Sequence, residues 1–276
     1  MSSVTRSAQD RMSAARAPGR IMRARGRRVA VLRAGSVIVL LGFWELYGRH
    51  SNPLLFTYPT AIARAGVQLA ANGQLGKALG QSLSVLALGL VLAVVAGIAI
   101  GLAMGRSPIV EAVLDVPLNA LYATPLVALV PVMVLWVGFG TVAKVVVVFL
   151  FAVFSIVINT ARGVREVDPQ LIEVARSFHA SETGLWRDVV LPAALPYIVT
   201  GIRLAVGRAL VGIIVAEFYT SIAGLGYLIV TYANTFQTAK VFVPVVILMA
   251  LGVGLTWALQ LLERRLAPWQ SIQEAT

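Results

Sequence analysis

No cysteine occurs among the 276 residues, which excludes a disulfide framework, thiolate metal sites and cysteine catalysis together. Histidine is nearly as scarce. His50 and His179 stand far apart in different contexts, which argues against an imidazole metal cluster. Charge is thin as well: 13% of the residues are Asp, Glu, Lys or Arg, where a soluble domain carries about 25%. The abundance lies elsewhere, in a hydrophobic fraction of 58% and a mean hydropathy of +0.84. So little charge cannot cover a water-exposed surface, and the composition implies a membrane protein.

The net charge of +11 resembles a nucleic-acid signal until it is located. Residues 1–33 hold nine arginines against the single acid Asp10, and the rest of the chain is close to neutral. An arginine-rich arm directly before an apolar span acts as a positive-inside topology signal and can bind anionic lipid. No aromatics interleave with these arginines, so nucleic-acid binding is not expected. Arg27-Arg28 precedes an apolar stretch at 34–47, but no small-residue cleavage site follows and more membrane sequence comes next. That stretch reads as a retained first span rather than a signal peptide.

A spanning helix needs about 20 largely apolar residues. Six candidates follow: roughly 30–47, 82–104, a chargeless run from Val116 into a turn at Gly138-Phe139-Gly140-Thr141, then 142–160, 194–216 and 241–262. Six spans put both termini on one side, and the arginine arm makes that side the cytoplasm. The segments 48–81 and 217–240 then face outward, while 105–115 and 161–193 face the cytoplasm. The third span contains Pro117, Pro125 and Pro131 and should be kinked, its freed carbonyls needing partners. The segment 217–240 carries no charge between Glu217 and Lys240 and is rich in small polar residues, so a partly inserted element is expected there.

The most informative segment is 161–196, with four arginines and five acids between apolar spans. Asp168-Pro169 is a helix start, Asp as N-cap and Pro at the first helical position. Leu171, Val174, Ala175 and Phe178 then recur at helical spacing as one apolar stripe. His179-Ala180 interrupts, and Ser181 can cap a second short helix through 182–190. Two readings stay open on physics alone: an amphipathic pair lying on the bilayer or on its own bundle, or a docking element laid into a partner's groove.

These residues resemble a known family. Glu173, Ala175, Ala180 and Leu191-Pro192 match the E-A-A…G…LP loop of binding-protein-dependent ABC importer permeases, the Leu-Pro pair falling 18 and 19 residues after the glutamate. The resemblance extends over about 70–265, through ATPLVALVPVMVLWVGFGT, LPAALPYIVTGIRLAVGRAL, AEFYTSIAGLGYLI and LLERRLAPW. It is similar to the nitrate/sulfonate/taurine branch, and above all to aliphatic sulfonate permeases. Two positions depart from the pattern. Val174 replaces the family's first Ala, and His179 replaces its Gly at a turn expected to have positive φ, where histidine is among the few tolerated residues.

The resemblance implies an all-α, six-span type I importer permease in the bacterial cytoplasmic membrane, both termini inside. It would work as a homodimer with two copies of an ABC ATPase and an external substrate-binding protein. The implied organisation is a basic arm at 1–33, a first span and outer segment at 34–69, a permease core at 70–265 with its coupling loop at 161–193, and a tail at 266–276. The implied ATPase-coupling residues are Glu173, Ala175, Phe178, His179, Ala180, Leu191 and Pro192. No G-x-x-x-x-G-K-[ST] occurs, and GLAMGRS at 101–107 lacks both the lysine and the spacing. ATP and Mg are therefore expected on the partner, with no cofactor and no catalysis in this chain.

Charges inside the membrane are functional candidates by default. Arg203 and Arg208 lie roughly 13 and 20 Å along a helix starting near Ala194, which brackets the midplane. Either an anionic head group such as sulfonate or a structural partner can meet them. Tyr122 and Thr124 on the kinked third span join them as candidate pathway residues. Glu217 is placed to pair with Lys240 across the outer segment, and Glu45 reads as a packing or interfacial residue. Small anions such as an aliphatic sulfonate, taurine or nitrate head the substrate expectations. A thiamine-precursor pyrimidine, and an ion-coupled secondary transporter with no ATPase, are the alternatives.

Overall fold

The computed structural model describes residues 18–220 and 223–266, with side chains over 31–220 and 223–261. The first part of the basic arm and the tail after 266 lie outside the described residues, as do the side chains of Arg264 and Arg265. Every regular element among the described residues is helical. The chain divides into two compact units, Met1–Ala63 and Arg64–Thr276.

In the first unit, α1 (Pro18–His50) carries an apolar spanning window at Val31–His50. Its end is tied to the following segment by side chains. Trp44 Nε1 donates to the Thr57 carbonyl at 2.8 Å. Glu45 accepts from Thr60 N at 3.0 Å and Thr60 Oγ1 at 2.6 Å, and pairs with Arg49 at 2.7 Å. Glu45 therefore holds the turn that leads into α2 (Pro59–Ala71).

The second unit is built around one central helix. It contains α3 (Gln74–Arg106), α4 (Pro108–Ala123), α5 (Leu126–Val137), α6 (Thr141–Arg165), α7 (Pro169–Ser177), α8 (Glu182–Leu185), a π-helical turn at Trp186–Val190, α9 (Leu191–Thr220), α10 (Leu225–Asn234) and α11 (Thr238–Leu266). Packing between helices in a membrane depends on close approach, which small residues permit. α3 presents Gly89, Ala93, Gly97, Gly101 and Gly105, one every fourth residue. A Cβ added at these glycines would meet Val148, Ile156, Thr160 and Val164 of α6 in turn. The two helices thus run parallel with small residues against branched ones. On its other side α6 receives α9 antiparallel, Gly212 against Phe151 and Gly201 against Asn159. Gly101→Val illustrates the tightness: its Cβ would sit 2.6 Å from Thr160 Cβ and 2.8 Å from the Val157 carbonyl. Overpacking of this kind should cost about 2–3 kcal/mol and lower the melting temperature in detergent by roughly 5–10 °C. An unchanged melt would mean that α3 and α6 separate more easily than this packing implies.

Among the described residues five helices are long and apolar enough to cross a membrane, and a sixth span is counted if α4 and α5 are taken together. The expected kink of the third span is present, and it is a full break between two helices. Its first helix starts at Pro108, capped by Ser107, and α4 meets α5 at 101° across Thr124-Pro125. Pro125 disfavours helical backbone at Thr124 and offers no N–H of its own, so the helix ends there instead of bending. Pro117 and Pro131 stay inside helices. Gly138 (φ 89°) and Gly140 (φ 156°) then make the turn into α6. In the segment 217–240 the structure places α10, whose ten residues span about 15 Å, half a hydrocarbon core.

Candidate functional site

The charged loop folds as a small platform on the ends of the core helices. Asp168 caps α7 by accepting from Gln170 N, and Pro169 occupies the first helical position. The helix ends in a Schellman turn. Ala180 N donates to the Ala175 carbonyl at 3.1 Å, and His179 N donates to the Arg176 carbonyl at 2.9 Å. His179 has φ 57°, the left-handed conformation for which glycine is the usual residue. Ser181 then caps α8, accepting from Gly184 N.

The helical run from Glu182 is not interrupted at Leu191-Pro192. It passes through the π turn at Trp186–Val190 and continues as α9. Pro192 has no N–H for the Asp188 carbonyl and its ring crowds that turn, which the wider π geometry just upstream accommodates. Leu191 N closes the π turn by donating to the Trp186 carbonyl. Arg106, at the end of α3, lies over the Trp186 ring at 5.4 Å.

The expected apolar stripe is split. Ile172 and Ala175 pack inward on Val164, Val167, Leu185, Val190, Ala194 and Ile198. Leu171, Val174 and Phe178 point away, with 52%, 54% and 83% of their surfaces exposed. The split arises because Ala175 sits about 100° round the helix from Val174, enough to bring it to the neighbouring face. Glu173, His179 and Ala180 are exposed, Leu191 is at the edge of exposure, and Pro192 is half-buried. An open groove of about 390 Å³ runs between Leu171, Val174 and Ala175 on one side and Val189, Pro192 and Ala193 on the other, with Asp188 at its edge.

Ionic contacts secure the base of this platform. Arg165 pairs with Glu111 in the first turn of α4. Glu166, the C-cap of α6, accepts from the Tyr197 hydroxyl and pairs with Arg162 at 2.6 Å. The Tyr197 hydrogen bond first, and Arg162 next, hold the Glu166 carboxyl below the usual glutamate range. A carboxyl depressed on folding contributes stability above its unfolded pKa and loses it as pH falls through the folded value. Proteolysis within 168–190 should therefore accelerate as pH drops below the ordinary glutamate range. In Glu166→Gln it should be faster already at neutral pH. A loop equally resistant in both proteins would show that the contact does not hold it.

The pathway candidates separate. Arg208 donates to the Tyr122 hydroxyl at 2.7 Å and lies 4.2 Å from that ring's centroid. Thr124 donates its hydroxyl to the Ala120 carbonyl at 2.8 Å. Arg203 is half-buried and, five residues from Arg208, about 140° round α9, so the two arginines do not share a face.

Glu217 does not pair with Lys240, which lies over the Tyr232 ring at 5.2 Å. Glu217 is 1% exposed and caps a neighbouring helix from outside. Its Oε2 accepts from Gly226 N at 2.7 Å, and its Oε1 accepts from Ser82 Oγ, also at 2.7 Å. Ser82 Oγ in turn accepts from Leu225 N at 2.8 Å. Lys144 Nζ donates to the Ala223 carbonyl at 2.8 Å. Three core helices thus hold the start of α10, whose own N-cap, Gly224, has no side chain to offer. This cluster was missing from the sequence reading. Its signal was an acid within an apolar span followed closely by Gly-Leu-Gly.

Fold and loop together define a multi-pass α-helical membrane subunit with a structured platform on one end. The chain matches the family described as binding-protein-dependent transport system inner membrane component over residues 86–268, and it belongs to that family. An aliphatic sulfonates transport permease of Bacillus subtilis is 36% identical, over 86% of each chain. A taurine transport system permease of Escherichia coli is 30% identical, over 88% of this chain and 90% of its own length. A formylaminopyrimidine transport permease of Halalkalibacterium halodurans is 32% identical, over 86% of this chain and 94% of its own. The crystal structure of an amino acid ABC transporter superposes with a TM-score of 0.56 at 19% identity, covering 72% of this chain and 97% of that one, a likeness of fold. The protein is an ABC importer permease of the inner membrane.

Proposed function

We propose that this permease carries a small anion, an aliphatic sulfonate, taurine or nitrate, from an external binding protein into the cytoplasm. Two copies of the chain form the pathway, and two ATPase subunits drive it from the cytoplasmic side, where both termini lie. The platform at 161–193 is the coupling element. Leu171, Val174 and Phe178 enter the ATPase cleft, while Glu173, His179, Ala180 and the Leu191-Pro192 corner set how that helix is presented. ATP binding draws the two platforms together and opens the cavity outward; hydrolysis and release reset it inward.

The observation that carries the coupling is the exposed face of α7, held on a capped and anchored frame. A free amphipathic helix has no need of an N-cap, a Schellman turn and an ionic base at once. The sulfonate and taurine relatives support the anionic substrate. The pyrimidine relative supports a second reading, import of a formylaminopyrimidine. Reconstitution with the ATPase and binding protein tests both. Uptake of ethanesulfonate, taurine or nitrate that requires ATP and survives collapse of ion gradients is expected. Uptake driven by an ion gradient without ATP would overturn the importer reading.

A further inference from the structure

Two features that a membrane tolerates only beside protein or water meet at one point. The first is the break between α4 and α5, where the backbone turns through 101° at Thr124-Pro125. Non-helical backbone at membrane depth persists only where protein buries it or where it lines a water-filled cavity. Tyr122 is exposed and Thr124 half-buried, so the described residues do not bury this break. The second is Arg208, near the middle of α9. A charge on lipid-facing surface is costly, and such residues turn to a bundle interior or an aqueous cavity. Arg208 is in direct contact with Tyr122, the penultimate residue of α4. Both rules are met together if this spot lines an aqueous path.

The donors there outnumber the acceptors. The guanidinium carries five N–H groups, one of which the Tyr122 oxygen accepts. The phenol accepts from Arg208, and its own proton has no acceptor among the described residues. No carboxylate of the described residues lies within ion-pairing distance of Arg208. Stacking on the Tyr122 ring, 4.2 Å from its centroid, holds the guanidinium plane in place. An oxyanion meets this arrangement through two oxygens on the guanidinium fork and one on the phenol O–H. Thr124 contributes no donor because its proton is already given to Ala120.

We propose that Arg208 and Tyr122 form a water-accessible site for a small oxyanion, such as a sulfonate, nitrate or carboxylate, at the break between α4 and α5. It is a station on the substrate's way across the membrane, and this part rests on the importer reading above. The absence of natural cysteine makes a direct test available, since an introduced thiol is the only one in the chain. Ala123→Cys and Thr124→Cys are each placed in the assembled transporter, with and without Arg208→Gln. Each is then labelled with an anionic and a cationic methanethiosulfonate reagent, with rates normalised to a free thiol.

Both reagents should react, and the anionic one should be favoured about tenfold, the lower end of electrostatic focusing in a cleft. Arg208→Gln should abolish that preference. No labelling at either position, or a preference unchanged by Arg208→Gln, would overturn the proposal. So would absence of any preference in the parent, which would mean that a carboxylate of the second copy neutralises Arg208. Labelling does not depend on the cargo. A transporter that labels as expected yet takes up none of ethanesulfonate, taurine or nitrate would overturn the proposed substrates and leave the site standing.

Discussion

Phe178→Asp is expected to reduce ATP-driven uptake more than tenfold while the chain still inserts and folds. Phe178 is 83% exposed, so its removal takes nothing from the packing of this chain. In the assembled importer the same ring is expected to fill an apolar part of the ATPase cleft, where an aspartate would have to give up its hydration. Aromatic anchors at the centre of an interface cost about 2 kcal/mol or more when removed, roughly a thirtyfold loss of affinity. The measurement is paired: the amount of ATPase that co-purifies, and uptake per ATP hydrolysed in proteoliposomes. Glu173→Ala and Leu191→Asp should move the same ratio, because both side chains are exposed on the loop proposed to meet the ATPase. Full ATPase retention and normal uptake in Phe178→Asp would leave this face lying on the bilayer surface.

The largest structural effect is expected from a single methyl group at Gly224. Its φ of 111° is in the region where a side chain is strained, and a Cβ there would fall 1.9 Å from Glu217 Oε1. Gly224→Ala must therefore expel Glu217. That strands Gly226 N–H and removes the acceptor for Ser82, both buried. Backbone strain contributes about 1–3 kcal/mol, and each stranded polar group about 1–3 more, so a loss of at least about 3 kcal/mol is expected. Thermal unfolding in detergent measures it. Glu217→Ala relieves the clash while sacrificing the same hydrogen bonds, so the double variant should be less unstable than the two single losses added together. Additive losses would mean that Gly224 and Glu217 do not act on one another.

The same pair of residues shows why some of the molecule was legible in the sequence and some was not. Spans, caps and the loop are written in local pattern: apolar runs of the right length, Asp168-Pro169 at a helix start, Ser181 at another, and a tolerated histidine where the turn needs positive φ. Each of these depends on residues within a turn or two of one another. Glu217 and Ser82 are 135 positions apart, and their hydrogen bond exists only because the end of α9 lies beside the beginning of α3. The expected partner Lys240 was nearer in sequence, but Glu217 is buried among the core helices instead. A buried carboxylate takes whichever donors are at its depth, here a hydroxyl and a backbone N–H.

The apolar stripe on α7 makes the same point at shorter range. Periodicity identified an amphipathic helix but grouped Ala175 with Leu171, Val174 and Phe178. Contact with Val190 and Ala194 decided that Ala175 and Ile172 turn inward and the other three do not.

Composition alone made this chain a membrane protein, because so little charge cannot clothe a soluble surface. Short-range order along the chain set its spans, its caps and the loop that carries the family pattern. Tertiary structure alone decided that the third span is two helices nearly at right angles and that Glu217 caps α10. It also brought Arg208 of α9 against Tyr122 at the break. Those outcomes turn on which donors and acceptors share a depth in a medium that offers none of its own, and that depth is set by how helices far apart in the sequence pack together.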